Sequence, residues 1–303
     1  RMGIHVSAVS ITGRCEQNSI PAHITIETLA NHSSEKVDLT VVASNTKRHL
    51  RDTEVFGELS RFVLIEKPVA VTARQLHLFA SDLRARCAIS SPLKTMHGFS
   101  IAKTLLGKIG EIQSIQIICH SWLPSWRPGR DYRNSYSADP EQGGVLLDLI
   151  HEVDYAMALF GVPDAIAAEL SSDRAFSIPV DSRADLTWHY PTFSLSMSLD
   201  FGLRNERRSL VVTGSQGVLE WDLLAARLTL TNQDSDLGFD KTYTQDLNRD
   251  VLLERQVTYI SLPDSDFRKT SFEHGAQNLV ICDVARRSSR LGGVALPVHR
   301  FRG

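Results

Sequence analysis

The chain has 303 residues, of which 42% are apolar and 22% are charged. This composition is typical of a folded globular protein and excludes disordered and fibrous classes. A formal net charge of −2 gives no reason to expect nucleic acid or an anionic membrane surface as a partner. No apolar run reaches the roughly 18 residues of a membrane span, and Arg1–His5 do not resemble a signal peptide, so we expect a cytoplasmic protein without membrane partners. The four cysteines show no CxxC spacing and are expected to be buried free thiols.

In the first third of the chain, apolar runs alternate with segments of helical periodicity. The runs at residues 37–43 and 62–65 are typical of strands covered on both faces. Strands alternating with helices predict a doubly wound parallel sheet, which we assign to a first domain of residues 1–98. The predicted strands are His5–Ile11, Val37–Ala43, Phe62–Ile65 and Cys87–Ile89, and the predicted helices are Thr25–Asn31, Lys47–Leu59 and Thr72–Arg86.

The pattern changes after residue 98, where most apolar segments alternate strictly with polar residues. Such alternation predicts an antiparallel sheet with one open face. The last predicted element is a helix that begins at Thr270-Ser271-Phe272-Glu273, a capping-box spacing, and runs to about Arg290. We therefore expect an α/β protein whose second domain, residues 99–303, is an α+β unit with a large, mostly antiparallel sheet. Its predicted strands are Ile112–Ile118, Ala165–Leu170, Ala184–Tyr190, Phe193–Phe201, Ser209–Thr213, Val218–Trp221 and Arg227–Thr231.

Three ionisable residues interrupt an apolar segment that follows Gly143-Gly144. The segment 145–160 predicts one buried helix, and Asp148, His151 and Asp154 lie three residues apart along it. Two carboxylates beside a histidine can orient its ring and set its tautomer for proton transfer. The alternatives are a hydrogen-bonded core histidine or a metal ligand. Since no second histidine or cysteine pair lies at ligand spacing, we predict no metal.

A second candidate feature is Glu66-Lys67-Pro68, directly after a predicted parallel strand. Ligands of open α/β sheets bind beyond the carboxyl ends of the strands, so this position suits a binding site. The residue before a proline is restricted to extended backbone, which keeps Lys67 at the strand end. The alternative is a lysine in a solvated turn.

The third feature is a long polar and aromatic loop, residues 121–142. Tryptophan faces stack on sugar rings, and arginine forks bind carboxylates or phosphates in pairs of hydrogen bonds. Loops of this length in compact domains usually bind a ligand, although a packing loop is the alternative. The candidate substrate-binding residues of this loop are Trp122, Trp126, Arg127, Tyr132, Arg133 and Tyr136, to which we add Asp154.

Together these motifs resemble the glucose–fructose oxidoreductase / inositol dehydrogenase (Gfo/Idh/MocA) family. The resemblance covers roughly residues 3–295, and the order and spacing of the motifs carry it rather than any motif alone. The loop that leads into the apolar helix is most similar to members of nonulosonate and surface-sugar pathways. The matching features are Val37–Ser44 with Asn45 and His49, Glu66-Lys67-Pro68, and Gly143-Gly144 followed by Asp148, His151 and Asp154.

The resemblance implies a Rossmann domain that binds NAD or NADP, and hydride transfer between a nicotinamide and a sugar or polyol carbon. Lys67 would contact the reacting hydroxyl and the nicotinamide ribose, His151 would exchange the proton, and Asp148 would orient the substrate or His151. The C-terminal sheet would form a homo-oligomer, a dimer or tetramer. The implied cofactor-binding residues are Ser44, Asn45, His49, Glu66, Lys67 and Pro68.

Two departures from the family pattern stand out. No G-x-G-x-x-G turn precedes Val37, and the first predicted strand is similar to the family's second strand. Either the reading frame is truncated at its N-terminus, or the protein is a catalytically impaired relative that binds a sugar or a protein partner without dinucleotide turnover. In addition, Asp148 precedes His151 by three residues, whereas in many relatives the acid precedes the histidine by four. Arg14, near the end of the first strand, favours NADP over NAD because arginine accommodates a 2′-phosphate.

Overall fold

The computed structural model describes residues 8–10, 25–27, 36–173, 176–232, 237–261 and 271–301. The N-terminal part contains a three-stranded parallel sheet in the order β3–β4–β5 and a separate parallel pair, β1 and β2. Helix α1 (His49–Gly57) connects β3 to β4, and the short helix α2 (Ser81–Arg84) precedes β5. The predicted parallel α/β sheet is therefore present. The separate pair consists of β1 (Ala8–Ser10) and β2 (Thr25–Glu27), and the three-stranded sheet consists of β3 (Val37–Val42), β4 (Ser60–Ile65) and β5 (Cys87–Ile89).

Two predicted helices of this region are wrong. Residues 25–27 form strand β2, in keeping with the β-branched Thr25 and Ile26, and residues 28–31 lie outside the described part. Residues 72–86 form a 3₁₀ turn over 73–78 and then α2, because Phe79 adopts an extended conformation between them. The buried Arg84 guanidinium donates to the carbonyl groups of Leu76 and Phe79, which stabilises this interruption.

The C-terminal part is built on a nine-stranded sheet in the order β13–β12–β11–β10–β6–β9–β8–β7–β14. Among the described strands of this sheet, β6 and β9 pair in parallel and the other neighbours are antiparallel, which confirms the predicted mostly antiparallel sheet. The strands are β6 (Ile112–Trp122), β7 (Ala165–Ser171), β8 (Arg183–His189), β9 (Ser194–Asp200), β10 (Gly202–Gly214), β11 (Gly217–Asp222), β12 (Arg227–Asn232), β13 (Leu237–Thr242) and β14 (Leu296–Pro297).

Helices cover one face of this sheet and leave the other open. On β9, Leu195 and Met197 are buried against the helices, whereas Ser194 and Ser196 are exposed. This alternation is the two-residue period of a sheet with one solvated face. The helices are α3 (His97–Leu105), α4 (Val145–Asp148), α5 (Ile150–Phe160), α6 (Arg249–Ser261) and α7 (Phe272–Arg290).

Helix α7 begins one residue later than the capping-box spacing predicted. Its N-cap is Ser271, whose hydroxyl accepts a hydrogen bond from the His274 amide at 3.2 Å. The helix packs between the two sheets, since it contacts both β5 and β7. Within the described ranges, none of the helices has both the length and the apolar character needed to cross a bilayer.

Candidate active site

The segment predicted as one helix over residues 145–160 is two helices, and the break between them builds the site. Leu149 (φ −93°, ψ +24°) separates α4 from α5. In an uninterrupted helix, the Glu152 amide would donate to the carbonyl of Asp148. At the break it donates to the carbonyl of Leu149 instead. The Asp148 carbonyl is thereby free to accept from the Lys67 ammonium, with Nζ at 2.5 Å. Gly161 (φ +80°) ends α5, as the sequence predicted.

Lys67 reaches this carbonyl from the carboxyl end of β4. Burial lowers the pKa of the Lys67 ammonium, while the charges of Asp148 and Glu66 oppose that shift. The side chain is thus held at the strand end, with its charge facing the start of α5 rather than bulk water. This placement agrees with the predicted position of Lys67 and does not match a solvated turn.

His151 lies in the first turn of α5 and lines a narrow crevice together with Lys67. Burial lowers the pKa of the imidazole well below its usual value, and the nearby charges of Lys67 and Arg208 lower it further. A neutral imidazole is therefore the stable form at neutral pH, and it can accept a proton.

Asp148, at the end of α4, is 9% exposed, and its Oδ2 atom is buried without a hydrogen-bond partner. A buried acceptor without a donor costs free energy, so it marks a place where a ligand hydroxyl would be favourable. The backbone carbonyl of this residue accepts a hydrogen bond from Lys67, and its Oδ2 atom has no partner among the described residues. The spacing of three residues to His151 spans the helix break, so helical periodicity does not relate the two side chains.

Asp154 lies one turn beyond His151 and is held by three donors. Its Oδ1 atom lies 2.9 Å from Lys94 Nζ, 2.8 Å from Asn278 Nδ2 and 3.1 Å from His274 Nε2. The charges of Lys94 and His274 keep the pKa of this carboxyl far below its usual value despite its burial. Its predicted substrate contact stays a prediction, since the donors described here come from the protein.

The predicted cofactor residues lie at the carboxyl ends of β3 and β4. Ser44 Oγ is buried without a partner, and Asn45 is exposed beside it. His49 is 1% exposed, and its two ring nitrogens lie 2.8 Å from the carbonyls of Ser44 and Pro68, so it braces the two strand ends. Glu66 accepts from the Ser90 hydroxyl at the end of β5. Arg14 lies outside the described residues.

The loop of residues 121–142 divides into two parts. Tyr136 lies near the strand ends, where its hydroxyl is 2.6 Å from Thr46 Oγ1; burial, the largest effect, raises the pKa of the phenol to about 12. The other predicted residues make their described contacts away from Lys67, and their role in substrate binding stays a prediction. Trp122 and Tyr132 pack edge-on against Phe176, Trp126 packs against Phe201, Arg133 pairs with Asp131, and Arg127 is exposed.

Two glycines allow this loop to approach α4. A Cβ atom on Gly143 would lie 2.5 Å from the Ser137 carbonyl oxygen, and one on Gly144 would lie 2.6 Å from Asp181 Oδ1. Gly144 also has φ of +99°, a conformation that favours glycine. The Gly143-Gly144 pair therefore serves the close packing that positions α4.

Sequence reasoning missed two charge pairs beside the site, each with a buried carboxylate. Glu152, which is 0% exposed, accepts from Arg208 Nε at 2.6 Å and from Nη2 at 3.0 Å, and Lys94 binds Asp154. A signal for Lys94 existed, because it follows the last strand of the parallel sheet, where ligand-binding groups collect. The partner residue Arg208 had no such signal, since it lies in an ordinary strand pattern.

Comparison with known proteins agrees with this fold. Residues 103–220 match the GFO/IDH/MocA C-terminal domain. No curated protein matches the chain in sequence.

Among solved structures, an inositol dehydrogenase homolog from Azotobacter vinelandii, complexed with NADH and myo-inositol, superposes with a TM-score of 0.72 at 15% identity. The superposition covers 86% of this chain and 78% of that one. A levoglucosan dehydrogenase in complex with NADH and L-sorbose has a TM-score of 0.73 at 15% identity, over 88% and 80% of the two chains. An oxidoreductase from Pseudomonas syringae gives 0.67 at 14% identity, over 86% and 78%. At these identities the likeness establishes the fold alone, and the domain match assigns residues 103–220 to the GFO/IDH/MocA C-terminal domain.

Proposed function

We propose that this protein is a nicotinamide-dependent oxidoreductase that acts on a sugar or polyol. The observation that carries the proposal is the grouping of Lys67, His151 and the unpartnered carboxylate oxygen of Asp148 at the carboxyl ends of the parallel strands. A cation, a neutral base and a free acceptor are what alcohol oxidation needs around one hydroxyl-bearing carbon. The similar solved structures, which contain NADH with myo-inositol or L-sorbose, support the same class.

Each of the three side chains has a distinct role in the oxidation direction. His151, neutral because of its burial and the neighbouring cations, takes the proton of the substrate hydroxyl. The Lys67 ammonium, fixed by the Asp148 carbonyl, stabilises the alkoxide that develops on the same oxygen. Asp148 Oδ2 accepts a hydrogen bond from a second substrate hydroxyl, which orients the carbon. In the reduction direction the same groups return the proton.

The described residues fit the nicotinamide end of a dinucleotide. Ser44 Oγ is an orphaned buried polar atom, and Asn45 and Lys67 lie with it at the strand ends, so these residues would hold the ribose and the nicotinamide. A bound nicotinamide supplies the chemistry of accepting or donating hydride. The preference between NAD and NADP stays a prediction that rests on Arg14, which lies outside the described residues.

Cofactor binding is the first test. We expect NADH or NADPH to bind the full chain in a fluorescence titration, and a panel of sugars and polyols to include one that is oxidised. Absence of binding at millimolar cofactor would refute the oxidoreductase proposal and favour the relative that binds a sugar without turnover. Retained binding of a sugar in that case, measured by calorimetry, would support this second candidate.

Variants test the assigned roles. Lys67→Met and His151→Gln should each lower kcat by about 100-fold or more, the contribution of a positioned acid–base or electrostatic group. Lys103→Met and His299→Gln are matched controls, because both residues are exposed and far from the site in the chain. They should retain the activity of the unaltered protein. Activity retained in Lys67→Met or His151→Gln would reject the roles assigned to them.

We also propose that the open face of the nine-stranded sheet forms the contact of a homo-oligomer. The face is broad and carries small polar side chains such as Ser194 and Ser196, which would let two flat sheets approach. Sedimentation velocity should then give a dimer or tetramer, and Ser196→Arg should shift it toward the monomer. A monomer at micromolar concentration would refute this proposal and leave the proposed chemistry untouched.

A further inference from the structure

Four polar side chains, three of them buried and His274 partly exposed, meet one helical turn along α5 from His151. They are Asp154 on α5, His274 and Asn278 on α7, and Lys94, which follows β5. Lys94, His274 and Asn278 all direct a nitrogen atom to the same oxygen, Asp154 Oδ1, at 2.8–3.1 Å. The cluster therefore joins three elements that the chain does not bring together locally.

The ion pair within this cluster is shielded from water. The Lys94 side chain is 3% exposed and the Asp154 side chain is 8% exposed. Buried charge pairs stabilise a fold no more than well-packed apolar residues do, so their presence calls for a reason other than stability. Asp154 and Asn278 line the same crevice as Lys67 and His151, which connects the cluster to the candidate site.

The charges that face His151 come from every element packed around it. From other elements, Lys67 and Arg208 face it with positive charge and Asp148 lies across the helix break. On its own helix, Asp154 is the carboxylate whose charge favours a protonated imidazole, since Glu152 is paired with Arg208. The charged groups that act on the His151 imidazole are Lys67, Arg208, Asp154 and Lys94. Asp148, Glu152 and His274 are the direct partners of Lys67, Arg208 and Asp154, respectively.

We propose that Lys94 is a positioning residue of the candidate active site, which neutralises the Asp154 carboxylate in the crevice that Asp154 shares with His151 and so makes His151 harder to protonate. The inference rests on the proposed function, in which His151 exchanges the substrate proton. Without Lys94, the Asp154 carboxylate, which lines the same crevice as His151, would lose its lysine partner and would favour the protonated imidazole more strongly. The directions agree, because Asp154 raises the pKa of His151 and Lys94 lowers it.

The test is the titration of His151 itself, followed by NMR of protein with labelled histidine and assigned with a His151→Gln variant. Lys94→Met should raise the pKa of His151 by about one unit, the usual effect of one uncompensated nearby charge. Asp154→Asn should lower it. In the double variant Lys94→Met/Asp154→Asn, which lacks both charges, the pKa of His151 should be close to that of the unaltered protein. Lys94→Arg should leave the pKa of His151 unchanged.

These variants keep the inference open to refutation. An unchanged pKa of His151 in Lys94→Met would overturn the inference. The same holds if the pKa of His151 rises as far in the double variant as in Lys94→Met. If Lys94→Met fails to fold, as thermal melting would reveal, Asp154→Asn and the double variant still decide. A double variant equal to Asp154→Asn would then overturn the inference, because Lys94 would have no effect of its own. Lys103→Met is the control for removal of a remote lysine.

The titration needs neither cofactor nor substrate, so its outcome is independent of whether the protein turns over a sugar. Where turnover is found, the acid limb of the kcat/KM profile should move upward in Lys94→Met by the same amount as the NMR titration. An acid limb that stays in place would contradict the role of Lys94. Absence of turnover in every variant would refute the proposed function alone.

Discussion

The ion pair between the buried Glu152 and the partly exposed Arg208 allows the sharpest stability prediction. Glu152 is 0% exposed, and its two carboxylate oxygens accept from Arg208 Nε at 2.6 Å and Nη2 at 3.0 Å. The Arg208→Met variant removes the charge and keeps much of the side-chain volume. It leaves the Glu152 carboxylate of α5 without its hydrogen-bonded cation.

The expected loss follows from this geometry. Two unit charges about 4 Å apart at an effective dielectric constant of about 20 attract by about 4 kcal/mol. Removing one partner of a buried pair typically destabilises a protein by about 3–5 kcal/mol, because the remaining charge keeps its desolvation cost. We expect a loss of this size in the free energy of unfolding, measured by urea titration with tryptophan fluorescence. The double variant Arg208→Met/Glu152→Met should recover most of it.

The same sheet provides a matched control. Arg227 and Asp240 also form a two-hydrogen-bond pair, at 2.8 Å and 2.6 Å, but both side chains are largely in contact with solvent. Arg227→Met should therefore have little effect on unfolding. The reasoning would be refuted if Arg208→Met were no more destabilising than Arg227→Met, or if the double variant were no more stable than Arg208→Met.

Two further predictions concern buried groups. Burial raises the pKa of the Cys87 and Cys282 thiols to about 12. Both thiols should therefore stay protonated and unreactive toward a disulfide reagent at pH 8 until the protein is unfolded. Modification of either cysteine in the folded protein, located by peptide mass spectrometry, would contradict their placement. Gly144→Ala should destabilise the protein by about 1–3 kcal/mol, because φ is +99° and the new methyl group would meet a carboxylate oxygen at 2.6 Å. Gly107→Ala, with open space around the new methyl group, should not destabilise it, and equal melting temperatures of the two variants would count against the strain argument.

Local patterns predicted much of this fold correctly. The alternation of Leu195 and Met197 with serines predicted β9 and the open face of its sheet, because side-chain period and burial are linked along one strand. Strand β13 was not predicted. The helix predicted over 72–86 failed because the carbonyls of Leu76 and Phe79 found a partner in the Arg84 side chain, a contact that periodicity does not report.

The candidate site divides in the same way. The position of Lys67 at a strand end was predictable from the parallel-strand pattern. His151 was identified as a candidate because burying an ionisable group in an apolar segment costs free energy. How Lys67 is placed beside the segment that carries His151 was not predictable. It depends on the break at Leu149, which frees the Asp148 carbonyl for Lys67.

By itself, the sequence determined the two kinds of sheet, the strand end that carries Lys67 and the identity of the ionisable residues around Gly143–Asp154. Those features follow from periods of two and 3.6 residues and from turn chemistry, which are properties of neighbouring residues. Only the tertiary structure decided that Lys94, His274 and Asn278 share one oxygen of Asp154, and that Arg208 pairs with Glu152. Such contacts join distant elements, and their geometry is set by how the helices pack between the sheets.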